Sequence, residues 1–166
     1  MTERVTAVSI ISGFAGAGKT TFLNRILAQY GPEHRIAVVE NEYGAVSVDG
    51  SVLCGGAAVK EIAGGCICCT LFQGFIKGTM ELIDQYAPEW ILVEPTGVGK
   101  LSDVLRAVDQ LALRRRIHLR DIITVVDPEN YDFHSQIFGD FFYDQIENAE
   151  VLVLSRTQSL SRKQLE

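Results

Sequence analysis

The sequence lacks any apolar run close to the roughly 20 residues that span a bilayer, so its 166 residues leave no room for a transmembrane helix. It also lacks a basic excess: 15 Lys and Arg stand against 21 Asp and Glu, a net charge of −6. Sequence-independent nucleic-acid binding needs a basic face that displaces counterions, and that class is set aside. The one basic cluster, Arg114, Arg115 and Arg116, falls at the end of an expected helix, where cations complement the dipole, and reads as a solvated helix end. Cysteine is scarce, with four in all, and Cys66, Cys68 and Cys69 crowd into four residues. That pattern does not suit a disulfide framework and points to metal or redox chemistry. Cys54 stands apart as a small buried or idle residue. No arrangement of Ser, His and Asp supports triad catalysis, and His34, His118 and His134 share no metal-binding spacing. Met1 to Arg4 leads straight into a strand without a signal-peptide pattern, which sets a cytoplasmic expectation. There is no internal repeat or linker, and the length fits one domain over residues 1–166.

What the sequence does contain begins with Gly13 to Thr20, GFAGAGKT, which satisfies the phosphate-binding template G-x-x-x-x-G-K-[ST] at every fixed position. Upstream lies VTAVSIIS, an apolar β-branched run, and downstream Phe22, Leu23, Ile26 and Leu27 recur at helical spacing. This is the strand, loop and helix context the motif requires. Such a loop aims consecutive backbone N–H groups at phosphate oxygens, and Gly13, Gly16 and Gly18 let the backbone come close. Lys19 is expected to reach the β- and γ-phosphates, the Thr20 hydroxyl to ligate Mg²⁺, and Ala17 and Thr21 to complete the nucleotide contacts at the positive end of the helix.

Along the chain, RIAVVE (Arg35 to Glu40), WILVE (Trp90 to Glu94), IITVVD (Ile122 to Asp127) and VLVL (Val151 to Leu154) read as further strands, with a short edge strand at Val59 to Ala63. Amphipathic stripes follow from Phe72 to Ile83 and from Leu101 to Ala112. Residues 131–149 read as helical in their second half, interrupted by Gly139. Strands that are apolar on both faces and alternate with helices specify an α/β fold of the three-layer P-loop NTPase type, a mostly parallel central sheet covered by helices on both faces. Ligands of such sheets bind beyond the carboxyl ends of the strands, which gathers Gly13 to Thr20, Glu40 to Gly44, Glu94 to Gly97, Asp127 and Ser155 to Gln158 along one edge.

Glu94, followed by Pro95, Thr96 and Gly97, can hold Mg²⁺ or a water on it while the glycine N–H faces the γ-phosphate. Lys19, Glu94 and Gly97 are therefore the candidate catalytic set. Glu40, Glu42 and Asp49 lie on or after the loop that follows the second strand, where they can respond to the metal. Cys66, Cys68 and Cys69 offer three soft thiolates, one short of a tetrahedral Zn²⁺ set, with Glu40, water or a partner's side chain open for the fourth place. A site left incomplete suits a metal that must leave again.

With GFAGAGKTT, ENEYG, GGCICC and EPTG in this order, the sequence resembles the CobW-like branch of the P-loop metallochaperone GTPases, relatives of HypB and UreG. The resemblance covers nearly the whole chain, and the CxCC cluster is its most specific part. It implies GTP/GDP as the nucleotide with Mg²⁺ on Thr20 and Glu94. It also implies Zn²⁺ or Co²⁺, with Ni²⁺ as a further option, on Cys66, Cys68, Cys69 and Glu40. GTP hydrolysis would then be coupled to delivery of the metal to a client protein, with a nucleotide-dependent homodimer as a further expectation and neither nucleic acid nor membrane as partner. Relatives typically continue into a smaller C-terminal domain, so the chain reads as the N-terminal part of a longer protein. In place of the guanine-reading Asn/Thr-Lys-x-Asp, this chain has Ser155, Arg156, Thr157 and Gln158, and a glutamine amide offers one neutral acceptor where a carboxylate offers two charged ones. Ala45 stands where relatives often carry glutamate. No arginine finger is evident, so intrinsic turnover should be slow. Two other readings stay open: a metal- or redox-sensing module with little hydrolysis, and an ATP-specific P-loop ATPase with a bridging iron–sulfur cluster.

Overall fold

A computed structural model describes residues 5–40, 58–61, 70–112 and 115–165. Six strands form one sheet: β1 (Thr6–Gly13), β2 (Ile36–Glu40), β3 (Ala58–Glu61), β4 (Trp90–Glu94), β5 (Ile117–Val126) and β6 (Val151–Leu154), in the spatial order β3-β2-β4-β1-β5-β6. Every pairing among them is parallel. The helices are α1 (Lys19–Tyr30), α2 (Thr70–Tyr86), α3 (Leu101–Ala112), α4 (Tyr131–Phe138), α5 (Asp140–Glu147) and α6 (Arg162–Leu165). None of the described helices is long and apolar enough to cross a membrane.

The pleat sends alternate residues of each strand to opposite faces, and both faces are apolar. Val8, Ile10, Ala37, Val39, Ile91 and Val93 pack with Phe75, Leu82 and Ile83 of α2 and Leu101 and Val108 of α3. Ile11, Val38 and Leu92, one step out of phase, pack with Leu23 and Leu27 of α1. This is the expected three-layer arrangement. The helix after β1 packs on one face of the sheet and the helix after β4 on the other, so the loops leaving these two neighbouring strands part to opposite faces and open a crevice at their carboxyl ends.

Two element bounds differ from the sequence reading. The fourth apolar strand begins at Ile117, five residues ahead of its β-branched core, because Ile117 to Asp121 continue the pairing with Thr6 to Ser9 across a register shift at Val8/Ser9. Residues 131–149 are helical in both halves and not the second alone, as two helices divided at Gly139, whose φ of 43° and ψ of −114° end α4 and start α5. Arg116 is more than a solvated helix end: its guanidinium donates to Asp84 at 2.8 Å, tying the start of β5 to α2. At the amino ends of β2 and β4, Arg35 N–H and His34 hold the Glu89 carboxyl below the ordinary carboxylate range.

Candidate functional site

The loop between β1 and α1 takes its shape from glycine. Gly16 and Gly18 have φ of 77° and 99°, values that side chains resist. At Gly13 a Cβ would meet the Val125 carbonyl at 2.4 Å, so only glycine lets β5 lie this close. Gly18 leads directly into α1, whose first turn has backbone N–H groups without intrahelical partners. Lys19, buried at 8% exposure, curls back over the loop with its ammonium 3.4 Å from the Phe14 carbonyl.

On the neighbouring strand, Glu94 closes β4 and accepts a hydrogen bond from the Thr20 hydroxyl at 3.0 Å. Gly97 then comes so near the phosphate-binding loop that a Cβ there would meet Ala15 N at 2.6 Å and Lys19 Nζ at 3.1 Å. Two loops from different strands thus converge on one Lys ammonium. They border a cavity of about 700 Å³, within the range of small-ligand pockets. Its walls include Gly16, Lys19, Thr20, Glu40, Glu94 and Arg156. Glu40 faces it because β2 lies beside β4 with Glu40 in register with Glu94.

The cavity is electrostatically mixed. Lys19 and the start of α1 favour an anion, while two carboxylates stand at the same rim. A phosphate chain alone would face Glu94 and Glu40 unfavourably. A divalent cation between phosphate oxygens, the Thr20 hydroxyl and Glu94 removes that conflict, and hydroxyl and carboxylate oxygens are the hard donors that Mg²⁺ takes. The residues present therefore fit a nucleotide with Mg²⁺.

Residues 7–166 match the nucleotide-binding domain of the CobW/HypB/UreG family. The chain belongs to that family. Within the CobW/HypB/UreG family it is similar to the zinc chaperone YeiR of Escherichia coli, with 34% identity over 154 residues, 92% of this chain and 47% of YeiR. It is also similar to the zinc chaperone CobW of a Sinorhizobium species, with 31% identity covering 90% of this chain and 50% of that protein. In three dimensions it resembles the Zn(II)-bound YjiA GTPase of E. coli, with a TM-score of 0.67 and 26% identity over 92% of this chain and 50% of that one. The chain thus spans about half the length of the relatives it matches. It is a nucleotide-binding domain of this family with the P-loop fold, and the fold expected from its sequence is the one observed.

The sequence-derived candidates separate into three groups. Gly16, Gly18, Lys19, Thr20, Thr21, Glu40, Glu94, Gly97 and Arg156 share the cavity wall. Gly13 and Ala17 are buried behind it as loop supports, Ser155 bonds back to the Val126 carbonyl, and Gln158 sits exposed in a short turn after β6. Glu42, Asp49, Cys54, Cys66, Cys68 and Cys69, together with Ala45, lie outside the described residues. The described residues alone do not assemble three His, Cys, Asp or Glu side chains around one point. Of the histidines, His34 pairs with Glu89 and His134 stacks against Phe14 with ring centroids 4.5 Å apart.

Two supporting residues, Gln145 and Phe14, escaped the sequence reading, and Arg156, expected as a nucleotide contact, takes a supporting role as well. Arg156, in the left-handed region at φ 51°, donates to the buried Asp127 carboxylate at 2.8 Å and to the Gly16 carbonyl at 3.0 Å, joining the ends of β5 and β6 to the phosphate-binding loop. Gln145, 1% exposed on α5, donates to the carbonyls of Gly97 at 3.1 Å and Gly99 at 2.7 Å. Phe14 is locked by Phe138 at 4.4 Å and Phe142 at 5.9 Å. The only signal for Gln145 is a polar residue at an inward position between Phe142 and Ile146.

Proposed function

We propose that this chain is the nucleotide-dependent engine of a metallochaperone, binding and slowly hydrolysing GTP and coupling its nucleotide state to a transition-metal cargo. The observation that carries the proposal is the convergence of Lys19, the Thr20–Glu94 hydrogen bond and Glu40 on one cavity. In this reading the loop from Gly13 to Thr20 wraps the phosphates, Lys19 holds the β- and γ-phosphates, and the Gly97 N–H faces the γ-phosphate. Mg²⁺, when bound by Thr20 and Glu94, supplies charge neutralisation as the γ-phosphoryl departs. Arg156 and Gln145 act behind them, fixing the two loops that must hold their spacing.

The cargo site is Cys66, Cys68 and Cys69 with Glu40, and Glu42 and Asp49 are weaker additions. Its coupling to the nucleotide rests on strand register. Glu40 is opposite Glu94 on one side and Glu61 on the other. Cys66 follows Glu61 by five residues, at most roughly 17 Å of extended chain. Glu40 therefore belongs to the nucleotide cavity and stands within chain reach of the thiolates. Zinc is favoured over cobalt or nickel because the named relatives are zinc chaperones. A client protein would receive the ion in the cytoplasm, with a nucleotide-dependent dimer as an intermediate assembly.

The test is a calorimetric titration of GTP and ATP with Mg²⁺, followed by metal analysis of the same sample. Tighter binding of GTP, and stoichiometric zinc that is lost in Cys66→Ser/Cys68→Ser/Cys69→Ser, are expected. Preference for ATP, or zinc retained by the triple variant, would contradict the proposal.

A further inference from the structure

Helices α4 and α5 turn one side inward, where His134, Phe138 and Phe142 enclose Phe14. The outward side should be polar, yet Phe133 and Ile137 are each 58% exposed and Phe141 44%. Tyr131 and Tyr143 are also part-exposed, each with its ring against Phe142. Single exposed apolar side chains are ordinary, but Phe133, Ile137 and Phe141 on two short consecutive helices exceed that background and mark an interaction-type surface.

Its charge is equally one-sided. Residues 128–150 contain six carboxylates and no lysine or arginine, so this segment alone accounts for the whole net charge of −6. One cation borders it: the Lys100 ammonium lies 5.4 Å from the Phe141 ring. Such a face repels anionic lipid headgroups. It also disfavours a second copy laid symmetrically upon it, because an isologous contact sets carboxylates against carboxylates.

We propose that the α4–α5 face docks a basic, amphipathic segment of a partner protein. Apolar residues of that segment would cover Phe133, Ile137 and Phe141, and its lysines or arginines would meet Asp132, Asp140 and Glu147. The inner side of the same hairpin holds Phe14 and, through Gln145, the carbonyls of Gly97 and Gly99. An occupant therefore rests on the helices that set both loops of the nucleotide site. The proposal stands on the surface alone and requires neither the metal nor the base assigned above.

Fluorescence anisotropy of the whole chain with a labelled Leu/Lys amphipathic helical peptide, against a Leu/Glu peptide of equal length, tests it. The Leu/Lys peptide should bind about tenfold or more tightly than the Leu/Glu peptide, an advantage that salt reduces. Phe133→Ser/Ile137→Ser should weaken it about tenfold while leaving the melting temperature unchanged, since both side chains are exposed. Asp132→Asn/Asp140→Asn should weaken binding and flatten its salt dependence. Tyr86→Ser, an exposed aromatic at the far end of α2, should change nothing. Equal binding of both peptides, or binding indifferent to the double serine variant, overturns the proposal. Sedimentation that reveals a dimer abolished by Phe133→Ser/Ile137→Ser would also overturn it, by assigning the face to a second copy.

Discussion

Thr20 and Glu94, 74 residues apart in sequence, are joined by a 3.0 Å hydrogen bond from hydroxyl to carboxylate. The bond links the first turn of α1 to the end of β4 and places two oxygen donors side by side at the mouth of a phosphate-binding loop. In Glu94→Gln the shape is kept and the charge is lost. Hydrolysis should fall by about 100-fold or more, the equivalent of several kcal/mol of charge stabilisation. The Mg²⁺ concentration for half-maximal activity should rise. Turnover measured across a magnesium titration checks both, and Thr20→Ala should move the same two quantities in the same direction.

Gly97 is a steric prediction. A methyl at this position collides with the backbone of Ala15 at 2.6 Å, whereas one at Gly99 meets the Thr96 methyl at 3.2 Å and the Thr96 carbonyl at 3.5 Å. Gly97→Ala should lower kcat/KM by about 100-fold, as the loss of one transition-state donor does elsewhere. Gly99→Ala should stay near the parent activity. Both should keep the parent circular dichroism spectrum.

Arg156 clamps three segments at once. Asp127, with a side chain 2% exposed, still accepts from the Glu129 N–H and Asn130 when the guanidinium is removed, so Arg156→Ala should destabilise without unfolding. Because half of the Arg156 side chain is exposed, the cost should be about 1–2 kcal/mol, read by urea denaturation. Nucleotide affinity should drop with it because the Gly16 carbonyl loses its donor. Arg156→Lys should recover only part, since an ammonium cannot reproduce the two-pronged geometry.

Gln145 holds the Gly97 loop from behind. Gln145→Leu fits a similar volume but strips both carbonyls of their donor, so the loop should loosen and kcat should fall while the nucleotide Kd changes little. Single-turnover rates together with equilibrium titration separate the two.

The fold and the phosphate half of the site were legible because both rest on local patterns. GFAGAGKT fixes a loop, β-branched runs fix strands, and the rule that ligands gather at carboxyl ends brings Glu40, Glu94 and Gly97 to one place. Gln145 and the Arg156–Asp127 pair were not legible. Their roles depend on which helix lies behind which loop, a relation set by packing over 29 to 48 residues of separation and not by any local period. Gly139 warned of an interruption in one helix, and the backbone there makes two. The long first half of β5 was missed because His118, Arg120 and Asp121 are polar and lie outside the apolar run that marks the strand core.

Nucleotide and cargo metal should be felt by one another, through Glu40 and the thiolates of Cys66, Cys68 and Cys69. The direct test is the zinc affinity of the chain with Mg²⁺–GDP and with Mg²⁺ and a non-hydrolysable GTP analogue, measured by competition with a chromophoric chelator. The two affinities should differ by about tenfold, a coupling of ordinary allosteric size. Equal zinc affinity in the two nucleotide states would contradict it, because a ligand that binds two states equally shifts nothing between them.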